Sequence, residues 1–321
     1  MLAAPLVAPG RRTIYRVMFY PRLGRRPHGL TGPAGVAEMS LPRQRRLVRE
    51  PSYPALMPTV SAGDVRTWLT SRGVLRVPEV TVLFWVIKGL STAMGESTSD
   101  FLVHAMAPVA AVLLGLLAFT AALVLQFRKA RYVAWTYWLA VVMVGTFGTM
   151  AADVLHVGLG VPYTASSILF AVVLAALFLS WRRTEHTLSI HSIDTPRREL
   201  FYWAAVVATF AMGTAVGDFT AYTLHLGYFA SAAIFAAVIA VPAVGFRWGG
   251  WNPVFSFWFA YVITRPLGAS IADGLAKPHS AKGLGLGSGR VALGFGLLIV
   301  ILVWYLSATE TDVQAPVVDA G

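Results

Sequence analysis

Glu96 and Arg265 are charged residues set inside long apolar runs, where no water is at hand to solvate them. A carboxylate and a guanidinium in such a place can pair, take up a proton or cation, and couple either event to a change in packing. Asp100 follows Glu96 by one helical turn. Two carboxylates at that spacing repel unless a cation or proton lies between them. Lys88 is a third charge in the same segment, either snorkelling to a membrane edge or acting as a coupling group.

These residues fall in a motif that occurs four times. "FWVIKGLSTAMGESTSD" from Phe84, "YWLAVVMVGTFGTMAAD" from Tyr137, "YWAAVVATFAMGTAVGD" from Tyr202 and "FWFAYVITRPLGASIAD" from Phe257 share an aromatic-Trp pair, a Gly ten positions after the Trp and an Asp fifteen after it. The tryptophans are Trp85, Trp138, Trp203 and Trp258; the aspartates are Asp100, Asp153, Asp218 and Asp273. In a helix, positions 0, 4, 7, 11 and 15 from the Trp lie within about 80° of one another, so each repeat carries one polar stripe. At position 11 the repeats hold Glu96, Thr149, Thr214 and Ala269, and Arg265 occupies position 7 of the fourth. Polar stripes on apolar helices must turn inward.

The transport and coupling candidates are therefore Glu96, Asp100, Arg265, Lys88, Asp153, Asp218, Asp273, Thr149 and Thr214. A ring of aspartates could bind cations or relay protons; the alternative is that each caps a helix or bonds across a repeat interface. Four units around one axis bring the first beside the fourth. Glu96 and Arg265 then differ in depth by roughly 6 Å, which two long side chains can bridge. His104 and His156 follow their aspartates on the same helix face and are candidate ligands for a divalent metal, or interface histidines bonded to water. The glycines spaced ten from each Trp suit close helix packing.

The elements that carry these residues are apolar runs of about twenty residues, near 80–104, 108–127, 132–156, 162–181, 200–224, 228–247, 254–276 and 288–307. Apolar residues make up 56% of the 321 and charged ones 13%, which points away from an ordinary water-soluble domain; a buried soluble bundle would need polar outer faces, and a segment such as 108–126 offers almost none. The expected fold is an all-α integral membrane protein with eight transmembrane helices arranged as four parallel two-helix repeats, at about 80–131, 132–199, 200–250 and 254–307. Residues 1–77 hold 13 basic residues against three acidic ones and read as a basic, disordered extension; 308–321 read as a short tail. The net charge of +11 thus belongs mainly to an extension and does not point to nucleic acid. Loops after the second, fourth and sixth spans carry eight basic residues against three on the other side. Both termini are therefore expected in the cytoplasm. With no cysteine, disulfides and thiolate chemistry are excluded.

On "KGLSTAMGESTSD", "YWLAVV…FGTMAAD", "TRPLGASIAD" and the glycine-rich "GLGLGSG", the chain resembles, from about Val77 to Ser307, a family of bacterial membrane proteins built from four tandem repeats of unknown function. The resemblance implies an eight-span protein of the bacterial inner membrane and supplies no activity. The function expected from the residues is a secondary transporter or ion pathway for a small cation, a proton-coupled solute or a metal ion. The alternative is a non-transporting scaffold or lipid-associated module. No enzyme motif and no cofactor are expected; the partners are the lipid bilayer, a small cation or solute, and a second copy if the chain forms a homo-oligomer.

Overall fold

The computed structural model describes residues 75–314. Among these are eight long helices and no strand. They are α1 (Val82–Ala105), α2 (Pro108–Phe127), α3 (Ala134–Asp153), α4 (Tyr163–Glu185), α5 (Pro196–Asp218), α6 (Tyr228–Trp248), α7 (Pro253–Ala276) and α8 (Ser288–Thr309). Local chemistry sets several starts. Thr81 and Thr195 accept hydrogen bonds from the first turns of α1 and α5, Asn252 does so for α7, and prolines occupy the first position of α2, α5 and α7.

The odd-numbered helices form a closed inner ring in the order α1, α3, α5, α7 and back to α1. The even-numbered helices lie outside, and each covers the inner helix of the following repeat rather than its own: α2 lies on α3, α4 on α5, α6 on α7, and α8 on α1. A regular glycine contact knits the ring. A Cβ on Gly95 would meet the backbone of Gly145, and one on Gly148 would meet Phe210. One on Gly213 would overlap the Arg265 side chain, and one on Gly268 would overlap Thr92. In each case the glycine ten residues after a Trp receives the residue at position 7 of the next repeat.

A second cyclic layer lies at the Trp end. Phe84 packs on Trp138 at 5.6 Å between ring centres, Tyr137 on Trp203 at 5.6 Å, Tyr202 on Trp258 at 6.1 Å and Phe257 on Trp85 at 5.7 Å. The motif tryptophans are thus packing residues at this end of the ring.

Seven of the helices are long and apolar enough to cross a membrane. The expected count of eight falls one short because α1 carries Lys88, Glu96, Asp100 and a run of serines and threonines. That polarity is matched by position: α1 touches α3, α7 and α8, and its Ser91, Thr92, Ser97 and Ser99 are buried.

Two boundaries move. Arg76 and Val77, expected at the end of the N-terminal extension, are buried in the bundle. Asp312 and Gln314, expected in the tail, are buried too; Gln314 donates to the carbonyls of Val77 and Pro78, and the Glu79 amide donates to that of Asp312. Most of the extension, residues 1–74, lies outside the described residues.

Candidate functional site

The four inner helices converge on one guanidinium. Arg265 Nη2 donates to Glu96 Oε2 at 2.7 Å, to Thr214 Oγ1 at 2.8 Å and to Thr149 Oγ1, while Nη1 donates to the Thr92 carbonyl at 2.8 Å. Arg265 comes from α7, Glu96 and Thr92 from α1, Thr149 from α3 and Thr214 from α5. Arg265 is wholly buried and Glu96 is 5% exposed. Three of the partners are the position-11 residues of the first three repeats. The fourth repeat has Ala269 there, and the space is taken by Arg265 from one turn earlier on the same helix.

Each partner is held in turn. Thr149 Oγ1 also donates to Glu96 Oε2 at 3.2 Å, so the carboxylate oxygen receives both a charged and a neutral donor. The Arg265 stem lies against Gly213, where no larger residue fits. Pro266 removes one backbone donor from α7 just beyond the guanidinium-bearing residue.

Lys88 sits one turn nearer the Trp end. Its side chain is buried, Nζ forms no hydrogen bond among the described residues, and it lies 4.0 Å from the ring centre of Phe210 and 4.1 Å from that of Tyr261. The Phe210 ring is shared, since Arg265 Cζ is 5.0 Å from its centre on the way to the next layer. The amine thus packs between two aromatic faces. Beyond Lys88, Tyr137 and Tyr202 join hydroxyl to hydroxyl at 2.5 Å.

Toward the other end lie the aspartates. Asp100 and Asp273 are buried, while Asp153 and Asp218 are partly exposed. Asp153 and Asp218 end the α-helical part of their helices, which continue as single wide π-turns over Val154–Gly158 and Phe219–Thr223. α1 and α7 run on past their aspartates as ordinary α-helix. Lys277 binds the first and fourth repeats together, with Nζ 2.5 Å from Asp100 Oδ2 and 3.7 Å from Asp273 Oδ1. Burial would lower the Lys277 pKa, but Asp273 and Asp100 outweigh it and hold the ammonium above the usual lysine range.

The sequence placed Lys277 only among the loop charges. Its anchoring comes from the "GLGLGSG" segment, which folds back so that the amides of Leu284, Gly285, Leu286 and Gly287 donate to the carbonyls of Gly274, Lys277, Leu275 and Ala276. Gly285 and Gly287 take positive φ there, and a Cβ on Gly283 would strike the Lys277 carbonyl. The loop is therefore the C-terminal cap of α7.

The histidines do not join this cluster as metal ligands. His104 Nδ1 meets the Asp100 carbonyl at 2.6 Å. His156 lies against the Tyr163 ring and meets the Val161 carbonyl and the Ser166 hydroxyl. Among the described residues no three His, Cys, Asp or Glu side chains gather as a metal ion would require.

A second buried ion pair, which the sequence reading missed, lies at the Trp end. Arg76 Nη1 and Glu199 Oε2 are 2.5 Å apart, both side chains essentially inaccessible. Gln126 Nε2 donates to Glu199 Oε1 at 3.1 Å and to the Arg76 carbonyl at 3.3 Å. Glu199 stands in the first turn of α5, where the helix dipole also favours a carboxylate.

Residues 136–187, 201–248 and 256–312 match the family described as Repeat of Unknown Function (DUF347). These stretches are the second, third and fourth structural repeats. The first, α1 and α2, lies outside the matches but keeps the Trp, Gly and Asp spacing and the equivalent place in the ring. No curated protein and no solved structure matches the chain.

Proposed function

We propose that this tandem array of DUF347 repeats is a multi-pass protein of the bacterial cytoplasmic membrane that moves a proton or small cation along the axis of its inner ring. All eight long helices span the membrane in this reading, with both termini on the cytoplasmic side. The support for a membrane location is the outer surface, where Val109, Leu117, Ile168 and Leu293 are each at least 65% exposed on helices without a polar face. α1 then spans with its charged residues and most of its serines and threonines turned into the ring.

The single observation that carries the transport reading is the Arg265 cluster. A guanidinium and a carboxylate at the meeting point of four helices are costly in a low-dielectric interior and mark a pathway or coupling site. Protonation of Glu96, or a cation shared between Glu96 and Asp100, would remove the partner of Arg265 and free it to rearrange against Thr149 and Thr214. Aspartates at one end supply the cation-attracting entrance. Lys88 and the tyrosine pair continue the polar path toward the other end.

One observation favours the scaffold reading instead: Phe84, Tyr137, Tyr202 and Phe257 fill the axis at the Trp end, so passage requires a change of packing. Proteoliposomes holding the purified protein and an internal pH dye decide between the two. Transport predicts collapse of an imposed pH or cation gradient by the wild type and none by Glu96→Gln at equal incorporation. A wild type that leaves every gradient intact selects the scaffold.

A further inference from the structure

We propose that a groove between α4 and α7 binds one anionic phospholipid, its acyl chain between the helices and its phosphate on Arg182. The cavity measures about 550 Å³, within the range of small-ligand sites. Its walls are apolar, formed by Phe178 of α4 and by Phe255, Phe259 and Val262 of α7. Its rim is polar, formed by Arg182, Thr187 and Asn252. An apolar slot with a polar, cationic mouth has the division of a phospholipid.

The charge at the mouth selects the headgroup. Four arginines flank the loop joining α4 to α5. Arg197 and Arg198 are neutralised by Glu185, and Arg198 by Asp194 as well. Among the described residues Arg182 and Arg183 form no ion pair. Arg182 is exposed and spends only Nη1 on the His186 carbonyl. The Asn252 side-chain oxygen caps α7, and its amide nitrogen makes no hydrogen bond among the described residues. A guanidinium and an amide donor together suit a phosphate that carries net negative charge, and a zwitterionic headgroup gains less from them.

The groove is not independent of the ring. Its wall includes Trp258, the motif tryptophan of the fourth repeat, whose indole donates to the Leu188 carbonyl at 2.9 Å. Ile263 also lines it, two residues before Arg265. A bound lipid therefore bears on the helix that carries the central guanidinium.

This inference rests on the membrane-spanning reading but not on transport. The test is native mass spectrometry of the full chain in a neutral detergent, titrated with dioleoyl phosphatidylglycerol or dioleoyl phosphatidylcholine. The wild type should retain one phosphatidylglycerol with about tenfold preference over phosphatidylcholine, and Arg182→Gln should erase that preference at an unchanged melting temperature. Val262→Trp, which fills the slot, should remove retention of both. Equal retention of the two lipids by the wild type, or unchanged preference in Arg182→Gln, overturns the proposal. Release of the protein from membranes by alkaline carbonate overturns the membrane reading itself, whereas an embedded protein without preference overturns only the groove.

Discussion

Arg265 Nη2 and Glu96 Oε2 lie 2.7 Å apart although 169 positions separate them in the chain, and this contact closes the inner ring between its last and first helices. Removing either partner leaves the other buried without its counter-charge, at a cost of roughly 3–5 kcal/mol. Glu96→Gln and Arg265→Gln should each lower the melting temperature in detergent, and the double variant should be more stable than the sum of the two losses. Strictly additive losses in this double-mutant cycle would show that the two charges do not act as a pair.

The glycine contacts make a graded prediction. Gly213→Ala and Gly268→Ala place a methyl on Arg265 and Thr92, so both should destabilise the bundle by a few kcal/mol, on the order expected for overpacking. Gly89→Ala, on the same helix as Thr92 but with open space around it, should be neutral or stabilise by about 0.5–1 kcal/mol. Thermal melts of the three variants check the order, and a Gly213→Ala protein as stable as wild type would contradict the close approach.

The Arg76–Glu199 pair ties the segment before α1 to the start of α5. A chain starting at Leu75 keeps Arg76 and should insert and run as a single species in size-exclusion chromatography. One starting at Glu79 leaves Glu199 buried against Gln126 alone and should be poorly expressed or polydisperse. Glu199→Gln in the second chain should recover part of the loss, because no buried carboxylate then lacks its cation.

Lys277 yields a prediction in pH. Its folded pKa is raised above the unfolded value by Asp273 and Asp100, against the effect of burial. The stabilisation is therefore fully present below the unfolded pKa near 10.4 and fades only as pH rises through the folded one. Lys277→Gln should melt lower than wild type by the same margin at every pH from about 6 to about 9. A margin that vanishes within that window would mean the ammonium is not held by the two carboxylates.

The sequence and the structure agree most closely where periodicity carries the information. Apolar runs located all eight helices to within a few residues, and the Trp–Gly–Asp spacing placed Glu96, Thr149 and Thr214 on inward stripes. What that spacing could not give is which neighbour a face meets. The α2 helix is adjacent to α1 in the chain yet packs on α3, because the glycine and aromatic contacts step from each repeat to the next. Lys277 reads as a loop charge until the glycine-rich segment is seen to fold back on α7. Arg76, Glu199 and Gln126 come from three distant segments, and no local pattern marks their meeting.

The hand-over of each outer helix to the following repeat also includes α8, which lies on α1, while Gln314 and Asp312 bond to residues 77–79. From residue 75 to residue 314 the backbone is thus almost a circle with a cut in it. No two-helix unit is self-sufficient, so a repeat cannot be deleted or duplicated as in an open solenoid without leaving one inner helix uncovered. Rotation of the cut is another matter. A short linker between Gln314 and Leu75, with new ends opened at the exposed Gly250 of the α6–α7 loop, leaves the contacts among the four inner helices in place and only changes which pair of helices is made first.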